Sequence, residues 1–116
     1  ISAAAIERAI ELNGAAIEAR IAGKRVYLST PLGIELPLTY AANGAVSGNI
    51  TGFSMASMFA PKETGRWWVE NNQLCQQFPT WYKGRRFCFV IENIDETKIA
   101  WTRDDGYSGK ARIEGR

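Results

Sequence analysis

Hydrophobic positions recur at helical spacing in the first part of the chain and at alternate positions afterwards, and the period changes at Gly23. From Ser2 to Ile21, the residues Ile6, Ala9, Ile10 and Leu12 recur at spacings of three and four, as do Ile17 and Ile21, with Glu and Arg between them. This predicts a helical segment over residues 2–22 with Ser2 as N-cap. Asn13-Gly14 would end a first helix in a left-handed cap, and Ala15 to Ala22 would form a second helix stopped by Gly23. Two short helices and one broken helix fit equally.

Beyond Gly23 the period is two. Val26 and Leu28 begin a strand and Thr30-Pro31-Leu32-Gly33 turns it, after which Ile34, Leu36, Leu38 and Tyr40 alternate with Glu35, Pro37, Thr39 and Ala41. Pro37 cannot donate to a ladder, so it predicts an edge or irregular position. Asn43-Gly44 predicts a type I′ hairpin, with Val46, Gly48 and Ile50 on the returning strand. Residues 51–65 have no clean period and read as a loop with a helical turn. Its Phe53, Met55, Met58 and Phe59 are expected to plug the core, or else to form an adaptable binding lip.

Further strands are predicted over 66–70, 73–78, 86–92, 98–103 and 107–113. They are separated by turns at Asn71-Asn72, at Asn93 to Thr97 and at Asp104-Asp105-Gly106. Seven or eight strands joined by hairpin signals imply a mainly β chain. The expected fold is a small antiparallel meander that closes into a barrel or half-barrel, with an N-terminal helical segment. Residues 1–113 read as a single domain, with the β meander over 26–113.

Composition narrows the function. At 116 residues and 46% hydrophobic, the chain suits one core. The formal charge is only +2, with 14 basic against 12 acidic residues and no dense basic stretch, which argues against a nucleic-acid partner. No apolar run is long enough for membrane insertion by a helix. Residues 1–23 lack signal-peptide patterning, and a start at Ile1 reads as a mature or trimmed form. Histidine is absent, which removes the commonest general base and metal ligand; no cofactor, metal or catalytic residue is predicted, and the chain is expected not to be an enzyme. Ile113-Glu114-Gly115-Arg116 spells a factor Xa recognition sequence, so residues 113–116 read as an expression remnant.

Cys75 and Cys88 have no His nearby and no Cys-x-x-Cys spacing, so zinc and redox roles are disfavoured. They fall on adjacent predicted strands flanking a loop of about a dozen residues, where closure would stabilise the fold by roughly 3 kcal/mol. A structural disulfide in an oxidising compartment is favoured over two buried thiols.

Candidate contacts come from the aromatic residues. Trp67, Phe87, Phe89 and Trp101 fall at alternating positions expected in the core, whereas Trp68 has the opposite parity to Trp67 and should face outward. Trp81, Tyr82, Lys83, Arg85 and Arg86 form a loop that combines aromatic faces with cations, suited to stacking on a sugar or holding an anion. The alternative is a solvated hairpin tip. Asp104-Asp105-Gly106 reads as a turn rather than a Ca²⁺ loop, and the glycines near Gly44, Gly48 and Gly52 read as turns rather than a phosphate loop.

The succession Gly65-Arg66-Trp67-Trp68-Val69, Leu74-Cys75-Gln76-Gln77-Phe78, Trp81-Tyr82-Lys83-Gly84 and Cys88 resembles an uncharacterised family of small exported proteins of Gram-negative bacteria. Ala22-Gly23-Lys24, Asn43-Gly44 and Asp104-Asp105-Gly106-x-Ser108-Gly109 extend the resemblance over about residues 15–113. It implies a periplasmic or secreted β domain. Ser108-Gly109-Lys110 resembles the loop that periplasmic lysozyme inhibitors present to lysozyme carboxylates. The Gly-x-Trp start at Gly65 is similar to that of lipocalin- and avidin-like barrels.

The leading expectation is a non-enzymatic periplasmic or secreted binding domain for a small molecule or an envelope protein. It would use a barrel mouth lined by aromatics or the Trp81 to Arg86 loop. An inhibitor acting through Ser108, Gly109 and Lys110, and a hydrolase without a recognisable motif, are the alternatives.

Overall fold

A computed structural model describes residues 10–29, 35–49 and 62–115. The elements are β1 (Ile10–Glu11), α1 (Gly14–Ile21), β2 (Lys24–Ser29), β3 (Glu35–Tyr40), β4 (Ala45–Asn49), β5 (Lys62–Glu70), β6 (Gln73–Gln77), a 3₁₀ turn (Trp81–Gly84), β7 (Arg86–Asp95), β8 (Lys98–Arg103) and β9 (Ser108–Gly115). From β2 to β9 every strand pairs antiparallel with the next, and β9 pairs back onto β2, so the eight strands close into an up-and-down barrel. Closure leaves these strands without a long free edge. This is the predicted meander in its closed form, the architecture lipocalins also use.

Inward positions follow the two-residue period. Val26, Leu38, Tyr40, Val46, Trp67, Leu74, Ile91, Ile99, Ala111 and Ile113 form one buried cluster. Phe89 and Trp101 pack against it, ring centroids 5.6 Å apart and edge to face. Among the described residues, no helix is long and apolar enough to cross a membrane.

The helical prediction is half right. Residues 1–9, including Ser2 and Ile6, lie outside the described residues. Ile10 and Glu11 are strand, paired with Asn93 and Glu92 of β7. The β6–β7 ladder ends at Leu74 and Phe89, so β7 has an open flank there that β1 occupies. Asn13 does not end a helix but begins one: its side chain accepts from the Ala16 N–H at 2.9 Å, an N-cap. Gly23, at φ +77°, ends α1 as expected. Ile17 and Ile21 are fully buried and join the barrel core.

Turn chemistry also differs. Gly44 alone has positive φ at its hairpin, where Gly44 N–H donates to Ala41 and Ala41 N–H to Ala45; this is a three-residue loop with a glycine bulge rather than type I′. The type I′ geometry belongs to Asn71-Asn72, both at positive φ. Pro37 lies in an interior strand. The β3–β4 ladder ends at Leu38 and Gly48, and alternation points the Pro37 nitrogen toward β4 beyond that end, so no ladder bond is lost. The turn at 30–33 and the Phe and Met side chains of 51–61 lie outside the described residues. Lys62 to Gly65, expected in a loop, begin β5. Ile113 is core, Glu114 accepts from the Tyr27 hydroxyl at 3.1 Å, and residues up to Gly115 pair with β2. They form part of the barrel wall.

Candidate functional site

At one end of the barrel, the strands turn at 41–44, 71–72 and 96–97, and α1 packs against the core. The other end carries the β6–β7 loop and the β8–β9 turn. There the inward side chains of Leu28, Leu36, Leu38, Gln76 and Phe78, with Trp81 and Tyr82, line a pocket of about 280 Å³. Leu28, Leu38 and Gln76 also border a void of about 20 Å³ beneath it, enough for about one water. Among the described residues, the barrel is therefore filled below Gln76 and open above it.

Glycine makes room for this mouth. A Cβ on Gly48 would stand 2.5 Å from the Trp81 ring, so its absence seats the indole against β4. A Cβ on Gly65 would fall 2.2 Å from the Gln77 carbonyl oxygen, so β5 can approach the end of β6 only as glycine. These two inward positions lie in strands, Gly48 on the returning strand of the hairpin as its spacing from Val46 predicts and not in a turn.

The β6–β7 loop is held by hydrogen bonds rather than by propensity. Tyr82 and Lys83 both adopt left-handed φ, near 57° and 58°, each costing about 1–2 kcal/mol for a residue with a Cβ. Against that, the Glu63 carboxylate accepts from the Thr80 N–H, the Thr80 hydroxyl and the Trp81 N–H. Partial burial opposes ionisation of Glu63, but these bonds outweigh it and hold its pKa below the ordinary carboxylate value. Gln77 adds a bond to the Gly84 carbonyl at 2.7 Å. Phe78 and Trp81 stack with centroids 4.6 Å apart.

Beside the pocket, Arg103 stacks over Phe87 at 4.3 Å, Tyr107 at 4.8 Å and Tyr82 at 5.6 Å, and Asp105 grips it through two hydrogen bonds of 2.7 and 2.9 Å. The Asp105 pKa is lowered, chiefly by that bonding. Arg85 lies over Phe87 and reaches Asp104 at 3.4 Å and Asp105 at 3.7 Å. Asp104 also bonds both backbone groups of Cys88. The Asp104-Asp105-Gly106 segment is thus the predicted turn, and it ties the loop, the turn and the disulfide together.

Cys75 and Cys88 are directly paired across β6 and β7 and form the expected disulfide, with Cα atoms 4.0 Å apart. Both sulfurs lie close to the Glu70 carboxylate, but a disulfide has no thiolate to offer a metal.

The predicted site residues separate. Trp81 and Tyr82 reach the pocket, and Lys83 is exposed on the loop with no ion-pair partner among the described residues. Arg85 is turned to the acidic turn, and Arg86 lies 3.6 Å from Glu70. Trp68 faces outward as its parity predicts, donating to Glu70 at 2.8 Å. Ser108, Gly109 and Lys110 form no loop; they pair in register with Thr102, Trp101 and Ala100 at the start of β9. Gly109 lies under the Trp101 ring, 2.7 Å from where its Cβ would be. Glu63 and the aliphatic lining carry no motif. Gln76, a polar residue at core parity between Leu74 and Phe78, is the one signal the sequence offered for the pocket floor.

Fold and site together define a small closed β-barrel with an aromatic-rimmed apolar mouth. No family model, curated protein or solved structure matches the chain.

Proposed function

We propose that this protein is a non-catalytic binding domain that holds a small, largely apolar molecule in the mouth of its barrel. The observation that carries the reading is the pocket of about 280 Å³, close to the lower end of small-molecule site volumes and walled by Leu28, Leu36, Leu38, Phe78 and Trp81. Preformed walls avoid much of the ordering cost of binding. Two carboxylates near the mouth support a role without proton transfer: those of Glu63 and Asp105 are engaged in hydrogen bonds and biased toward their charged form. The disulfide supports an oxidising location, periplasmic or secreted. An inhibitor acting through Ser108, Gly109 and Lys110 would have to be recognised along a strand.

The neutral fluorophore N-phenyl-1-naphthylamine tests the proposal. Its emission is expected to rise and shift to the blue on titration, and Leu36→Trp, which places an indole in the mouth, is expected to abolish the change without unfolding the protein. Equal enhancement in the variant would show that the dye binds elsewhere.

A further inference from the structure

One polar side chain marks the floor of the mouth pocket. Gln76 is only 7% exposed, and it lines both the pocket and the void beneath it. Its Oε1 accepts from the Tyr40 hydroxyl at 2.5 Å, while Nε2 has no hydrogen-bond partner among the described residues. Nε2 is not sealed off, since Trp101 Nε1 is the fully buried side-chain atom left without a partner among the described residues. The Nε2 N–H groups are open to the pocket, where an acceptor meets them in largely apolar surroundings that strengthen a hydrogen bond.

The surroundings determine which acceptor fits. None of the described lining residues is charged. Of the cations near the rim, Arg85 and Arg103 are engaged with Asp104 and Asp105, and Lys83 is exposed on the loop and does not line the pocket. Burial, and secondarily Tyr82, raise the Tyr40 pKa, so the medium around this pair penalises an anion. A carboxylate at the floor would lose its hydration without meeting a cation.

We propose that Gln76 determines specificity: the pocket takes an uncharged, mainly apolar molecule that enters with a carbonyl oxygen leading and accepts a hydrogen bond from Nε2. Ketones, aldehydes, esters and amides share this chemistry. The inference rests on the mouth being a binding site, as proposed above.

Three probes of similar shape separate the possibilities: acetophenone, ethylbenzene and benzoate, titrated calorimetrically at pH 8 into the unaltered protein and into the double variant Gln76→Leu/Tyr40→Phe. The double variant replaces both hydrogen-bond partners with apolar groups, so no buried group is left unpaired. The affinity of acetophenone relative to ethylbenzene is expected to fall about 3- to 10-fold in the variant, the span of one net neutral hydrogen bond. Benzoate is expected to bind the unaltered protein more weakly than acetophenone. An unchanged ketone-to-hydrocarbon ratio would overturn the role of Gln76 while leaving the pocket intact. Benzoate binding as tightly as acetophenone would overturn the preference for neutral ligands, and that comparison needs no variant. Failure of all three probes to bind would remove the pocket reading and this inference with it.

Discussion

At the scale of single residues, the mouth depends on side chains that no motif announces. Glu63 stands at an inward position near the start of β5, where its carboxylate meets two backbone N–H groups and a hydroxyl of the β6–β7 loop. Because the fold lowers its pKa, the stabilisation is complete above the unfolded-chain value of about 4.3 and is lost as pH falls through the lower folded value. Hydrogen exchange at Thr80 and Trp81, corrected for intrinsic rates, is therefore expected to accelerate below about pH 4. Glu63→Gln should bring the faster exchange to neutral pH. Flat protection down to pH 2 would show that Glu63 does not hold the loop. Parity made Trp67 and Trp68 legible as inward and outward. The left-handed Tyr82 and Lys83 were not legible, because their conformation is imposed by Glu63 and Gln77 from outside the loop.

At the scale of elements, the strands were the most readable part of the chain, since a two-residue period survives wherever one face is buried. The helix was less so. Ile10 and Leu12 continue the helical spacing of the residues before them, yet β1 forms because β7 offers unpaired backbone there, a tertiary effect no local pattern carries. With 8 residues, α1 is too short to be stable alone and is held by Ile17 and Ile21, both fully buried, and by Asn72, whose side chain accepts from the Gly14 N–H at 2.8 Å. Ile17→Ala is expected to destabilise the protein by about 2–4 kcal/mol, read as a lower urea midpoint at unchanged slope. A loss under about 0.5 kcal/mol, typical of surface sites, would mean that the helix does not close the barrel.

For the whole molecule, closure and the disulfide act together. The bridge joins residues already paired in the ladder, so it stiffens β6 and β7 just before they leave for the mouth loop, and Asp104 extends that stiffness to the neighbouring turn. The pairing of the cysteines was legible from strand order. The hollow mouth was not, since its volume depends on where Gly48 and Gly65 let other chain segments approach. Binding of small apolar molecules in this mouth can be read residue by residue from a map of amide and methyl chemical shifts while N-phenyl-1-naphthylamine is titrated into the protein. Perturbations are expected to concentrate at Leu28, Leu36, Leu38, Gln76 and Trp81. Shifts centred on Trp68 or on Ser108 to Lys110, or none at saturating probe, would contradict binding in the mouth.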